Sequence, residues 1–311
     1  MIGSPGLHHI TAVTSDPQRN VDFFTRVLGQ RFVKRTVNFD DPSAYHLYYG
    51  DYLGSPGTAM TYFCWSNLPS RVPGVGEVSS TYYRISPNSY EFWSTHLSEQ
   101  GIKVTENTLF SVPTILLTDP DGHMITLVVC ERPPTHLELW DSAPVPAKHH
   151  LRGFYGVLMT VQRLATIEPV LTEVFGMQRT ATTDGIVRYS NLAEAETVVD
   201  VVEQPHTSLA QPGVGSVHHI AFRAFDDDHR KELRSRALAI GLQPTGLVDR
   251  LYFHCTYFMT LAGILIEIAT DKPGFTVNED AASLGQRLVL PPQFESIREQ
   301  ITASLPPISV P

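Results

Sequence analysis

The sequence predicts an α+β fold built from four copies of one unit: a strand, a helix and about three further strands. Three observations carry that reading. Four amphipathic segments each stop at a glycine, each follows a strand-like run, and each precedes short alternating apolar segments.

The helical segments are NVDFFTRVLG ending at Gly29, YEFWSTHLSEQG ending at Gly101, IEPVLTEVFG ending at Gly176 and HRKELRSRALAIG ending at Gly241. In the first, Val21, Phe24, Val27 and Leu28 share one face at helical spacing. Glycine just past the last apolar residue suits the left-handed conformation that closes a helix. The preceding strands are HHITAVTS, SSTYYRIS, YGVLMTV and HHIAFRAF. After Gly29 come RFVKRTVNF, YHLYYG and TAMTYFCW; after Gly241 come LQPTGLVD, LYFHCTYFMT and ILIEIA. DPDGH, Asp119 to His123, is a turn between the last two strands of the second unit. The proline-rich stretch 132–150 reads as a linker. It would separate an N-terminal domain, 1–131, holding modules one and two, from a C-terminal domain, 151–271, holding modules three and four. Residues 272–311 form a tail expected to lie along the surface or against a partner.

Composition narrows the function. The chain has 311 residues, 42% hydrophobic and 18% charged, as expected of a globular protein with a real core. A formal net charge of -9 argues against a nucleic-acid surface or a polybasic membrane patch. Cys64, Cys130 and Cys255 lack CxxC spacing, offering neither a disulfide framework nor a zinc site. The start, MIGSPGLHHI, shows no signal-peptide pattern, and the apolar runs are too short to span a bilayer. A cytoplasmic protein is the expectation.

A strand-helix-three-strand unit used in pairs resembles the vicinal oxygen chelate superfamily. That resemblance implies paired modules curled into half-barrels around a metal. The stretch GQRFVKRTVNFDDPSAYHLYYGDYLGSPGTAMTYF, Gly29 to Phe63, more specifically resembles the hydroquinone ring-cleaving dioxygenases. So do DRLYFHCTY, Asp249 to Tyr257, and SLGQRLVLPPQFE, Ser283 to Glu295. The likeness spans essentially the whole chain. It implies a homo-oligomer, a dimer or tetramer.

Histidine pairs open the first strands of modules one and four. His9 lies twenty residues before Gly29 and His219 twenty-two before Gly241, whereas module three has Gly156 at that place and SSTYYRIS has no histidine. In ILIEIA, Glu267 stands between apolar residues and faces opposite to Ile266 and Ile268. A carboxylate buried there needs a partner or a cation. Two imidazoles and a carboxylate form a facial triad with open positions, suited to non-haem Fe(II) and oxygen; Mn(II) is also compatible. The family's pattern assigns the ligands to His9, His219 and Glu267. A glyoxalase-type site needs a second carboxylate, yet the matching position in TAMTYFCW is Thr61. His149-His150, a third pair, falls in the linker and reads as structural.

Thr11 shares a face with His9 by strand alternation. His8 and His218 should point away in regular strands, while the resemblance implies that both act near the site; a bulge would reconcile the two. The resemblance also implies roles for Arg250 and Tyr257 in binding a substrate phenolate and donating to bound oxygen or a ring hydroxyl. One departure from the family pattern is Ala262-Gly263, after Leu261, where Gly-Gly is expected. The implied function is Fe(II)-dependent cleavage of substituted hydroquinones, with a small aromatic substrate and O2 as partners. Competing readings are a catechol-cleaving extradiol enzyme, a glyoxalase-type isomerase or lyase, and a non-catalytic pocket that sequesters a small molecule.

Overall fold

The structure, a computed structural model, describes residues 2–132, 134, 137–191 and 196–310. Module one contributes β1 (Leu7–Thr14), α1 (Pro17–Asp22), β2 (Arg31–Val37), β3 (Tyr45–Gly50) and β4 (Ala59–Cys64). Module two contributes β5 (Glu77–Ile85), α2 (Tyr90–Glu99), β6 (Thr105–Leu109), β7 (Val112–Thr118) and β8 (Met124–Val129). Module three supplies β9 (Phe154–Val161), β10 (Gln178–Thr183), β11 (Ile186–Ser190) and β12 (Val198–Glu203). Module four supplies β13 (Val217–Ala224), α3 (Asp227–Ala239), β14 (Val248–Asp249), β15 (Phe253–Met259) and β16 (Leu265–Pro273). A short α4 (Arg298–Ser304) lies in the tail.

The helix-ending glycines behave as their position implies. Gly29, Gly101, Gly176 and Gly241 all have φ between 68° and 84°. After α2 and α3 the chain closes with Ile102 N–H to Leu97 O at 2.9 Å and Leu242 N–H to Ala237 O at 3.0 Å. Two of the four expected helices are wider than α. Phe23–Val27, after α1, and Val170–Val174, in module three, wind as π-helical turns. Among the described residues of module three, α-helix is confined to Glu168 and Pro169 just before this turn, and Pro169 has no N–H to donate within a longer one. In LQPTGLVD only Val248 and Asp249 pair as a strand, since Pro244 and Gly246 precede them.

The modules pair into two curled eight-stranded sheets, ordered β14-β15-β16-β13-β1-β4-β3-β2 and β10-β11-β12-β9-β5-β8-β7-β6. Module one therefore pairs with module four, and module two with module three. This corrects the expectation that consecutive modules share a domain. Periodicity marks each module but does not say which first strands meet. The antiparallel ladders β1–β13 and β5–β9 make that choice.

One apolar cluster runs through both sheets and the helices, including Ile10, Met60, Trp93, Val157 and Ile266. A second lines the site-bearing sheet, where Tyr48, Phe253 and Cys255 meet Phe275 and Leu284 from the tail. The tail is fastened to β2. The fully buried Lys34 ammonium donates to Phe275 O at 3.0 Å and Asn278 Oδ1 at 2.9 Å, and pairs with Glu279. Val289 N–H also donates to Arg35 O at 2.9 Å. No helix among the described residues is long and apolar enough to cross a membrane.

The second sheet fills its equivalent interior with an ion pair. Asp200 pairs with Leu158, two residues after Gly156, as Glu267 pairs with Ala221, two after His219. Asp200 accepts two 2.8 Å hydrogen bonds from Arg188, whose guanidinium lies 3.9 Å from the Phe110 ring centre. A Cβ at Gly156 would stand 2.0 Å from Val198 O, so nothing larger than glycine fits.

Candidate metal centre

Adjacent residues of a regular strand point to opposite faces, but the ladder around both histidine pairs is not regular. β1 pairs Leu7 with Phe222 and His9 with Ala221, so His8 is an extra residue. Farther along, Thr11 pairs with His219 and Ala12 with Val217, so His218 is the extra residue of β13. Each is a β-bulge, which re-aims a side chain. His8 Nδ1 consequently lies 2.9 Å from His9 Nδ1, and His218 Nδ1 lies 2.8 Å from His219 Nδ1. One nitrogen of each inner imidazole is engaged by its neighbour, and Nε2 is left to face the site.

The two Nε2 atoms are 3.4 Å apart. They stand 3.2 Å (His9) and 3.1 Å (His219) from Oε2 of Glu267. Among the described residues these three form the group of potential ligands, with donor atoms all within 4.8 Å of one another. All are buried, and Glu267 has 0% exposure with neither oxygen hydrogen-bonded. An ionised carboxylate so placed is costly unless a cation meets it. Burial alone would raise the Glu267 carboxyl; the facing imidazoles of His9 and His219 outweigh it and hold the group well below the usual range. Two imidazole nitrogens and one carboxylate converging on one point fit a divalent first-row metal.

Glu267 arrives there by strand alternation: Ile266 and Ile268 join the main apolar cluster, and Glu267 takes the other face. Its symmetry counterpart is Thr61, because Ala221 pairs with Glu267 as Thr11 pairs with Thr61. No acid stands at that position. The Thr61 hydroxyl is instead 2.8 Å from Thr11 Oγ1 and 2.9 Å from His46 Nε2, and Tyr48 OH lies 2.9 Å from His46 Nδ1. Tyr48 opposes Thr61 and Tyr257 opposes Glu267, so the tyrosines are counterparts too.

A cavity of about 370 Å³ opens beside the ligands, lined by His46, Tyr48, Phe63, His218, Arg250 and Tyr257 among others. Its size falls at the lower end of small-molecule pockets. The Arg250 Nε donates to Tyr257 OH at 3.3 Å, and its Nη2 pairs with Asp40 at 3.0 Å rather than with the adjacent Asp249. Leu251, at φ 67°, turns the chain directly after Arg250, a strained conformation for a branched residue. Burial lowers the His218 imidazole to about 4, and also drives His46 well below its usual range, so both are neutral at pH 7.

The structure gathers the residues named from sequence, but not all into the cavity. His9, His219, His218, Arg250 and Tyr257 line it. His8, 3% exposed, sits behind His9 and against Phe253, and Thr11 is closed off by its bond to Thr61. His149 is elsewhere, stacked on Phe92 at 4.0 Å and 2.9 Å from Ser89 Oγ. Sequence reasoning did not single out Tyr48, Phe63, Trp65 or the loop from Asn38 to Asp41, all of which line the cavity. A signal for Tyr48 existed: YHLYYG in module one occupies the place of HCTYFM in module four.

Comparison with known proteins agrees with this geometry. The family model for the Glyoxalase/Bleomycin resistance protein/Dioxygenase superfamily matches residues 6–127 and 134–278. A Bacillus subtilis protein provisionally named ring-cleaving dioxygenase MhqE is 39% identical over 97% of this chain and 98% of its own length. The chlorohydroquinone/hydroquinone 1,2-dioxygenase of Sphingobium indicum is 30% identical over 96% of this chain and 95% of its own. A crystal structure of a provisionally named dioxygenase from Bacillus subtilis superimposes with a TM-score of 0.94 at 35% identity, covering 100% of this chain and 99% of that one. This chain therefore belongs to the glyoxalase/bleomycin resistance protein/dioxygenase superfamily and, within it, to the ring-cleaving dioxygenases.

Proposed function

We propose that this chain is an Fe(II)-dependent dioxygenase that cleaves the ring of substituted hydroquinones. The observation that carries the reading is the three-residue ligand set with Thr61, not an acid, at the symmetric fourth position. A fourth protein ligand would favour isomerase chemistry; its absence leaves positions for a substrate oxygen and for dioxygen. Fe(II) held there supplies the one-electron chemistry that lets an aromatic ring react with triplet dioxygen.

The chain's own groups prepare the substrate. His8 and His218 hold the ligand imidazoles in orientation through their Nδ1 contacts. The Arg250 guanidinium beside the cavity favours a substrate phenolate over the phenol. Tyr257, held by Arg250, offers its hydroxyl to the ring oxygen. His218, neutral at pH 7 with its Nδ1 accepting from His219, presents an Nε2–H to the cavity and is placed to donate to a substrate oxygen as the ring enters. The aromatic walls formed by Phe63, Tyr48 and Phe253 hold a flat ring and exclude water. In the overall reaction the ring bond beside a hydroxylated carbon breaks and both atoms of O2 enter the product.

The test is ring opening under ¹⁸O₂ with methylhydroquinone and catechol offered in parallel. Two labelled atoms in the product from methylhydroquinone, with slower reaction of catechol, support the proposal. Cleavage of catechol alone would reassign the substrate, and isomerisation without oxygen uptake would overturn the reaction class.

A further inference from the structure

A second cavity, of about 550 Å³, adjoins the first. Trp65, His218, His219 and Leu265 line both, so the two chambers share a wall beside the ligands. The second chamber lies where the connections between modules meet. The segment after β4 and the one before β13 touch through Ser70–Val214, Val72–Gln211 and Val75–Leu209 bridges.

Its chemistry is apolar. Val13, Val75, Val78 and Ile264 are buried in its walls. Two of its polar groups are already occupied. Glu77 accepts from Arg71 at 2.8 Å and from Gly74 N–H at 3.2 Å, and Ser216 donates to Gly213 O at 2.6 Å. At the mouth, Leu209 and Met259 are 71% and 55% exposed, and Leu261, on the adjoining hairpin, is 78% exposed. That hairpin is the place where Ala262-Gly263, after Leu261, stands instead of the expected Gly-Gly, and Ala262 forms part of the wall.

We propose that the two chambers are one bipartite site: the ring occupies the ligand-lined cavity, and an apolar substituent extends past Trp65 and Leu265 into the second. The substrate class is then an alkyl- or isoprenyl-substituted hydroquinone, a deepening that rests on the ring-cleavage reading. Dioxygen entry alone would not require a chamber larger than the ring site itself. Each methylene transferred from water into such a wall is worth on the order of fourfold in affinity.

The experiment is anaerobic calorimetric titration of the Fe(II)-loaded protein with methylhydroquinone and n-butylhydroquinone, which reads binding without turnover. The expected result is at least about tenfold tighter binding of the butyl compound, with the preference reduced severalfold in Ala262→Phe, which narrows the chamber. A polar mouth variant, Leu209→Asp, should fold normally at so exposed a position and also weaken the preference. Equal affinity for both hydroquinones, or a butyl preference untouched by both variants, overturns the bipartite site and leaves the ring reading standing. Failure of both compounds to bind overturns the ring-site reading and this inference together. Tighter butyl binding without any oxygen uptake in air supports the chamber and counts against the dioxygenase assignment.

Discussion

Replacing His123 by glutamine should remove an acid-sensitive joint between the two sheets. His123 closes the DPDGH turn of module two and is 2% exposed. Its Nδ1 lies 2.8 Å from the hydroxyl of Tyr62 on β4, and its Nε2 lies 2.9 Å from Thr81 on β5. Tyr62 also donates to Asp119 at 2.8 Å, so one hydroxyl ties both ends of the turn to the neighbouring sheet. Burial depresses the His123 imidazole to about 3, against about 6.5 for an unfolded histidine. Protons therefore favour the unfolded chain: the stability is present above about pH 6.5 and is lost as pH falls. Between pH 7 and pH 5 that loss integrates to about 2 kcal/mol. Asp119 works in the opposite direction. Burial pushes its carboxyl up to about 6, so its protonation favours the folded state and returns about 1 kcal/mol over the same interval. The pair thus largely offsets itself in the native protein. In urea denaturation at pH 7 and pH 5, His123→Gln should gain about 2 kcal/mol relative to wild type on acidification. Asp119→Asn should lose about 1 kcal/mol relative to wild type. Identical pH dependence in all three proteins would refute the reasoning, whatever constant cost the lost hydrogen bonds impose.

Three further outcomes follow from the same structure. Lys34→Met strands the buried Glu279 carboxylate and should cost about 3–5 kcal/mol in chemical denaturation, most of it recovered when Glu279→Leu is added. His8→Leu and His218→Leu each remove the Nδ1 partner of a ligand histidine and should weaken metal affinity roughly 10–100-fold, read by competition with a chelating indicator; undiminished affinity would contradict the orienting role. Tyr257→Phe should lower kcat/KM for methylhydroquinone about tenfold, the loss of one hydrogen bond polarised by Arg250, with metal content unchanged.

Much of the fold was legible because its signals are local. Gly29, Gly101, Gly176 and Gly241 mark four module helices through a backbone conformation that glycine adopts most readily. Glu267 between Ile266 and Ile268 is equally local, since alternation alone assigns its face. What the sequence concealed depends on contacts between distant segments. The pairing of module one with four is set by which first strands exchange hydrogen bonds, although the three ligands drawn from those modules already required them to meet. The bulges at His8 and His218 arise from a mismatch of two strands some two hundred residues apart. No single-strand pattern carries such an offset. The π-helical turn of module three kept the apolar spacing of a helix while winding wider than α. The network of His46, Tyr48 and Thr61 became visible only once pairing put Tyr48 opposite Thr61.

The central claim is that His9, His219 and Glu267 hold a metal on which ring cleavage depends. Its most direct test is oxygen uptake by anaerobically Fe(II)-loaded protein given methylhydroquinone, with iron content measured alongside, for wild type and Glu267→Gln. Stoichiometric uptake by the wild type, with both iron and uptake lost in the variant, is the predicted result. A variant that keeps iron and consumes oxygen normally would contradict the ligand assignment, and a wild type that binds iron tightly yet consumes none would contradict the reaction.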